Sequence, residues 1–115
     1  MKKVYFLKTC STCKRIMSEF ELTDFEQREI KSKAVSEEEL QEMYALSKSY
    51  EALFSKKAQL YKSLGLKDKA LTEADFKKHI LEHYTFLSRP VFIINGAIYI
   101  GNSQQNILQV HKALS

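Results

Sequence analysis

The chain holds two cysteines, and only two residues separate Cys10 from Cys13. A cysteine acts as a nucleophile through its thiolate rather than its thiol. A second thiol one helical turn away is close enough to attack a mixed disulfide formed on the first and to release the bound partner. The C-x-x-C spacing therefore predicts a redox pair in which Cys10 is the nucleophile and Cys13 is the resolving thiol.

The pair is predicted to lie in a turn between a strand and a helix. Residues 4–7 form a β-branched and aromatic run typical of a buried strand, and Ile16, Met17 and Phe20 follow the cysteines at helical spacing. At such a turn, the unpaired backbone N–H groups of the first helical turn point at Cys10, and the helix dipole stabilises its thiolate. We therefore expect Cys10 to be an acidic thiol.

Positive charge close to the pair in sequence should act in the same direction. Lys8, Lys14 and Arg15 flank the cysteines. Together with the helix terminus, they should lower the pKa of Cys10 below the free value of about 8.5. Four residues of this turn are also expected to line a substrate site: Thr9, Ser11, Thr12 and Lys14.

Two other interpretations of the cysteines are open. They can be an inert buried pair, or they can bind zinc together with His79 and His83, whose spacing places both rings on one face of a helix. However, the interval from Cys13 to His79 is far longer than the roughly 12 residues of a compact zinc finger. We favour no metal site and a partly solvated helix face for the histidines.

The composition indicates one globular domain and argues against nucleic-acid binding. With 115 residues, 44% of them hydrophobic, the chain can bury a core of its own. The formal net charge is +4, but of the 18 basic residues only Arg15, Arg28 and Arg89 are arginines. Because direct readout of bases relies on arginine forks, we predict no direct nucleic-acid binding.

The cysteine usage indicates a reducing compartment. Two cysteines this close in sequence cannot staple a fold, so they are typical of reactive thiols, and we expect a cytoplasmic protein. The apolar run that begins at Val4 is interrupted at Lys8. It is too short for a signal peptide or a membrane span, so no membrane association is predicted.

Beyond the first helix, the pattern alternates between strand and helix signals. That helix should end near Glu21, and residues 25–30 have the apolar ends of a short, half-exposed strand. Ser36 and Glu39 form a capping box at the start of a second helix.

The middle of the chain is predicted to be helical from about residue 36 to about residue 84. After a break near residues 47–49, the apolar spacing of a helix continues over residues 50–64, and Gly65 is well placed to end it. Another capped helix starts at Thr72.

The last third of the chain changes to a hairpin. Residues 91–94 form a continuous apolar run, Asn95-Gly96 is a strong signal for a two-residue hairpin turn, and residues 97–100 form the answering strand. A terminal helix follows a cap at Ser103. The order β-α-β, helical block, β-β-α predicts an α/β, thioredoxin-like fold with a mixed sheet, as a single domain over residues 1–115 with a helical insertion at about 36–84.

Several short motifs, in this order, resemble the arsenate reductase (ArsC) family, which includes the Spx-type regulators. The resemblance covers essentially the whole chain and implies a thioredoxin-like fold in which Cys10 attacks an oxidised substrate. The matching motifs are Cys10-Ser11-Thr12-Cys13, Tyr61-Lys62-Ser63-Leu64-Gly65-Leu66, Leu81-Glu82-His83, Leu87-Ser88-Arg89-Pro90-Val91 and Ile100-Gly101.

The resemblance assigns further roles at the second half of the site. Arg89 matches the arginine that precedes the family's proline, and its guanidinium suits an oxyanion or a thiolate. The resemblance also implies that the bond between Arg89 and Pro90 is cis, with Pro90 beside the substrate. In classical members, arginines hold an arsenate adduct, which glutathione and glutaredoxin then reduce.

The chain departs from classical reductases at three positions. Ser55 stands where they carry an anion-binding arginine in the middle region, and Gly101 stands about where they carry one after the hairpin. Cys13 departs in the other direction, because classical members of this branch usually lack the second cysteine whereas Spx-type proteins carry it as a redox switch.

Two functions follow from these residues and the resemblance. The first is an enzyme, an arsenate reductase-like thiol oxidoreductase that uses Cys10, Cys13 and Arg89, binds no cofactor or metal, and is reduced by an external thiol system, either glutathione with glutaredoxin or thioredoxin. Its partner is then a redox protein or a small thiol. The alternative is an Spx-type regulator whose disulfide switches binding to the RNA polymerase alpha subunit.

Overall fold

The computed structural model describes residues 1–115. The strands are β1 (Lys2–Phe6), β2 (Glu26–Glu29), β3 (Val91–Ile94) and β4 (Ala97–Ile100). The helices are α1 (Ser11–Met17), α2 (Glu37–Ser47), α3 (Tyr50–Leu53), α4 (Gln59–Ser63), α5 (Glu73–Glu82) and α6 (Gln104–Leu114), with 3-10 turns at Leu66–Asp68 and Tyr84–Phe86. The chain divides into a sheet unit, Met1–Lys33 with Arg89–Ser115, and a helical unit, Ala34–Ser88.

The sheet unit has the predicted mixed sheet. Its strand order is β2-β1-β3-β4, with β1 parallel to β2 and both other pairs antiparallel. Asn95 and Gly96, between β3 and β4, both have positive φ (49° and 89°), as the tight turn that matches the twist of the two strands requires. The prediction of an α/β fold with a mixed sheet is confirmed, as is the hairpin.

One face of this sheet is covered by apolar side chains from α1 and α6. Phe92, on β3, lies near the centre and meets the ring of Phe20 edge to face, with 5.5 Å between the ring centroids. Such burial of apolar surface is the main stabilising contribution to a fold of this size. The buried residues of this core are Val4, Ile16, Phe25, Phe92, Ile94 and Val110.

The first helix is shorter than predicted, because α1 ends at Met17 rather than near Glu21. After Met17 the backbone tightens into bonds three residues apart: the N–H of Glu19 donates to Ile16 at 3.0 Å and that of Phe20 to Met17 at 3.2 Å. Phe20 therefore keeps its place in the core although its backbone has left the helix.

The helical unit begins as the capping box predicts. The N–H of Glu39 donates to the Ser36 hydroxyl at 3.0 Å, and the Glu39 carboxylate accepts the N–H of Ser36 at 3.0 Å. The predicted break near residues 47–49 is confirmed, since α2 ends at Ser47 and α3 begins at Tyr50.

The prediction of one helix over residues 50–64 is wrong. Residues 54–58 separate α3 from α4, because the backbone at Phe54 and Ser55 pairs with a later segment. Phe54 forms an isolated antiparallel bridge with Leu87, and the N–H of Ser55 donates to the carbonyl of Phe86 at 2.7 Å. Phe54 and Phe86 also stack with 5.1 Å between their ring centroids.

The remaining predicted boundaries of this unit are confirmed. Gly65 follows α4 with φ of 67°, and Thr72 caps α5 by accepting the N–H of Asp75 at 3.3 Å.

No helix of the chain is long and apolar enough to span a membrane.

Candidate active site

The turn that carries the cysteines joins β1 to α1, as predicted. Cys10 is the N-cap of α1, with an extended backbone at φ −89° and ψ 111°. Its N–H donates to the carbonyl of Leu7 at 3.1 Å, and its carbonyl accepts the N–H of Lys14 at 3.1 Å. Cys10 therefore stands immediately before the first helical turn, while Cys13 lies within α1.

The sheet brings Arg89 to the same turn. In the antiparallel pairing of β1 with β3, Tyr5 lies opposite Val91, so the residues just before β3 reach the end of β1 where the thiol turn begins. The bond between Arg89 and Pro90 is cis, as the resemblance implied. The carbonyl of Pro90 accepts the N–H of Gly101 at 2.9 Å, which joins this segment to the end of the hairpin.

The surroundings of Cys10 favour its thiolate. Partial burial raises the pKa of Cys10, but the backbone N–H of Cys13, the positive charge of Arg89, and hydrogen bonds from both side chains more than offset it, so the pKa lies below that of an ordinary thiol. This is the acidic thiol expected at a helix N-terminus, and the guanidinium of Arg89 lowers its pKa further.

Cys13 has the opposite character. Its side chain is 0% exposed. Burial, together with the neighbouring Cys10, raises the pKa of Cys13 to about 11, although a backbone hydrogen bond from Leu7 opposes this. At neutral pH, Cys13 is therefore a protonated thiol, and its hydrogen bond to Cys10 helps to stabilise the Cys10 thiolate.

The positive charge at the thiol comes from a different residue than the flanking sequence suggests. Arg89 supplies it, from the other end of the chain. Arg15 instead faces Glu19, with 3.8 Å between the guanidinium and the carboxylate. Lys8 and Lys14 are exposed.

The remaining predicted site residues lie around the same turn. Thr9, Ser11 and Lys14 are exposed, and Thr12 is half-buried. Pro90 is buried and lies immediately before β3. Their contact with a substrate stays a prediction.

The two positions that depart from classical reductases differ in setting. Ser55 lies in the helical unit between α3 and α4. Gly101 lies just after β4 with φ of 92°, a backbone conformation that residues other than glycine rarely adopt. An arginine at position 101 would therefore require a different path of the chain there.

One residue close to the thiol turn was not foreseen from the sequence. The carboxylate of Glu29, at the end of β2, accepts the backbone N–H of Lys8 at 2.7 Å. Its only signal in the sequence is an acidic residue at the end of a strand that runs parallel to β1.

The histidines of the zinc alternative lie in the helical unit. The Nδ1 atom of His83 is 2.8 Å from the hydroxyl of Thr85, and the ring of His79 packs 5.4 Å from that of Phe86. Both histidines are half-buried. No group of three or more cysteine, histidine, aspartate or glutamate residues is arranged to hold a metal ion.

Comparison with known proteins relates most of the chain to one family. A family model described as the ArsC family matches residues 5–110. No curated protein matches significantly. Among solved structures, a protein named YFFB has a TM-score of 0.81 at 20% identity, covering 100% of both chains. An arsenate reductase from Vibrio cholerae has a TM-score of 0.74 at 25% identity, covering 95% of this chain and 96% of that one. An arsenate reductase-related protein from Brucella melitensis has a TM-score of 0.71 at 18% identity, covering 96% and 94%.

Proposed function

This chain belongs to the ArsC family, and we propose that within it the protein is a thiol–disulfide oxidoreductase of thioredoxin-like fold, with Cys10 as nucleophile and Cys13 as resolving thiol. One observation carries the proposal: the N–H of Cys13 and the Arg89 guanidinium lower the pKa of Cys10, whereas burial raises the pKa of Cys13 to about 11. Two thiols with such different acidity, one helical turn apart, suit the two successive steps of disulfide exchange.

The first step forms a mixed disulfide. The Cys10 thiolate attacks one sulfur of a substrate disulfide, a Cys10–substrate disulfide forms, and the other half of the substrate leaves as a thiolate that takes a proton from solvent. Arg89 helps to stabilise the Cys10 thiolate before attack by lowering the pKa of Cys10. Its single guanidinium also offers a fork to a carboxylate or a developing thiolate of the substrate.

The second step uses a change in charge at Cys10. In the free protein, Cys10 is one of the groups that raise the pKa of Cys13. Once Cys10 is bonded to substrate it no longer carries charge, so Cys13 loses its proton to solvent more easily. Cys13 then attacks the Cys10 sulfur, a Cys10–Cys13 disulfide forms, and the second half of the substrate leaves reduced.

An external dithiol or two small thiols return the pair to the reduced state. We propose glutathione with glutaredoxin, or thioredoxin, as the source of these two electrons. The reductant attacks the Cys10 sulfur, because Cys10 is half-buried whereas Cys13 is 0% exposed. Cys13 leaves as a thiolate that takes a proton, and a second thiol then releases Cys10 from the mixed disulfide.

Steady-state reduction of a disulfide-bonded peptide, coupled to each reductant system and compared with the rate without the protein, tests the proposal. We expect turnover by the wild-type protein, its loss in Cys10→Ser, and a large loss in Cys13→Ser. Turnover that survives in Cys10→Ser would exclude the proposed nucleophile.

The second cysteine also supports a second candidate, a redox-switched regulator of the Spx type. The same Cys10–Cys13 disulfide would then change the affinity for the RNA polymerase alpha subunit instead of completing a catalytic cycle. Pull-down of that subunit by the reduced and oxidised protein separates the two candidates. Redox-dependent capture without disulfide turnover would favour the regulator.

A further inference from the structure

The carboxylate of Glu29 accepts three backbone N–H groups. Its Oε1 atom accepts those of Lys31 at 2.9 Å and Ser32 at 2.6 Å, and its Oε2 atom accepts that of Lys8 at 2.7 Å. Lys31 and Ser32 belong to the loop that follows Glu29 itself. Lys8 belongs to the separate turn that carries Cys10.

The parallel pairing of β1 with β2 explains this reach. Phe6 lies opposite Glu29 in the register, and the N–H of Ile30 donates to the Phe6 carbonyl at 3.0 Å. The strand pairing thus extends to the end of β1. The Glu29 side chain extends this link between the strands beyond the end of β1, to the backbone of Lys8, two residues before Cys10.

We propose that Glu29 is a positioning residue for the Cys10 thiol. By holding the Lys8 backbone, its carboxylate sets the path from β1 to the helix N-terminus and keeps Cys10 in contact with Arg89 and with the N–H of Cys13. This inference rests on Cys10 as the nucleophile of the proposed function. In this role, Glu29 acts on Cys10 through the backbone of Lys8.

The sign of a substitution effect separates positioning from simple charge. A negative carboxylate near a thiolate disfavours ionisation, so if Glu29 acted only as a charge, its neutralisation would lower the pKa of Cys10. If Glu29 holds the turn, its loss lets Cys10 move away from the groups that stabilise its thiolate, and the pKa rises.

The test titrates Cys10 alone, in a Cys13→Ser background, by thiolate absorbance and by alkylation rate against pH. In Glu29→Gln we expect the pKa of Cys10 to rise by about one unit, with alkylation about tenfold slower at a pH below both pKa values. Glu29→Asp keeps the charge but is one methylene too short to reach Lys8, so the pKa should rise there as well. Glu26→Gln, at an exposed position on the same strand, is the control and should leave it unchanged.

A pKa of Cys10 that falls or stays constant in Glu29→Gln would overturn the inference. If that variant does not fold, as judged by circular dichroism, Glu29→Asp carries the test, and an unchanged pKa in that variant would overturn it equally. A wild-type Cys10 without an acidic pKa would instead contradict the proposed function, so the two failures are distinguishable.

Discussion

At the scale of single residues, Cys10 and Cys13 are the same side chain in two surroundings. Cys10 caps a helix and meets the Arg89 guanidinium, which lowers its pKa, whereas Cys13 is 0% exposed and its pKa is raised to about 11. Burial disfavours the thiolate, and nearby positive charge and N–H donors favour it. In the proposed function, the balance of these effects gives each cysteine its step.

Arg89→Ala should raise the pKa of Cys10. A hydrogen bond to a charged group contributes about 1.5–3 kcal/mol, and because Arg89 is partly exposed we expect about one pKa unit. Titration of the thiolate in a Cys13→Ser background measures the shift. Arg15→Ala is the matched control, since that guanidinium faces Glu19. A larger shift in the control would contradict Arg89 as the principal charge.

The burial of Cys13 predicts a loss of stability at alkaline pH. Its pKa is about 11 in the folded protein and about 8.5 for a free thiol, so folding favours the protonated form. This contribution is complete below about pH 8.5 and is lost as the pH rises through 11, and it amounts to roughly 3 kcal/mol. Urea unfolding from pH 8 to pH 11 should show a steeper fall in wild type than in Cys13→Ala. If the free energy of unfolding falls equally steeply with pH in the two proteins, the predicted contribution of Cys13 is absent.

The sequence predicted some residues of the candidate site and missed others. The C-x-x-C pair and its turn are evident from local pattern, because strand, cap and helix signals all lie within a few residues. Arg89 required the family resemblance, and its contact with Cys10 depends on strand pairing across most of the chain. Glu29 could not be foreseen, because a carboxylate that binds loop backbone leaves no periodic pattern.

At the scale of secondary structure, starts of helices were predicted better than their ends. A capping box is a local hydrogen-bonding pattern, and Ser36 begins α2 as expected. Apolar spacing reports which side chains are buried rather than where the helix stops, so Phe20 suggested a longer α1. The interruption at Phe54 arises from bonds to residues 86 and 87, which no local pattern encodes.

The capping box at α2 should contribute measurably to stability. Ser36→Ala removes the acceptor for the N–H of Glu39, and we expect a loss of about 1 kcal/mol in the free energy of unfolding. Chemical denaturation monitored by circular dichroism measures it. Glu38→Ala, an exposed change in the same first turn, should cost distinctly less. Similar losses in both variants would contradict a specific contribution from the cap.

At the scale of the whole molecule, the sheet unit is assembled from both ends of the chain. Residues 1–33 supply the thiols and residues 89–115 supply Arg89, Pro90 and the hairpin, while the helical unit lies between them in sequence. The β-α-β and β-β-α order was readable because each part carries its own signals. The sequence predicted a helical insertion at about 36–84 but not that these residues form a compact unit of their own. Which residues pack together depends on tertiary contacts that no local pattern encodes.

The anion-binding positions predict that arsenate is a poor substrate. By the resemblance, Ser55 and Gly101 stand where classical reductases carry two arginines. At about 1.5–3 kcal/mol for each lost charged hydrogen bond, the cost is roughly 3–6 kcal/mol. This corresponds to a loss of about a hundredfold to ten-thousandfold in rate. Assays with glutathione and glutaredoxin should give slight arsenate turnover beside clear disulfide turnover. Robust arsenate reduction that survives Cys13→Ser would restore a one-cysteine reductase.

The most direct test of the central claim is to trap the mixed disulfide. Cys13→Ser is mixed with glutathione disulfide, quenched with acid, and analysed by peptide mass spectrometry. We expect glutathione on Cys10 at full occupancy, no adduct on Cys13 in the matching Cys10→Ser variant, and a Cys10–Cys13 disulfide without adduct in wild type. Rapid glutathionylation of Cys13 in Cys10→Ser, with Cys10 unmodified in Cys13→Ser, would contradict the assignment of nucleophile and resolving thiol.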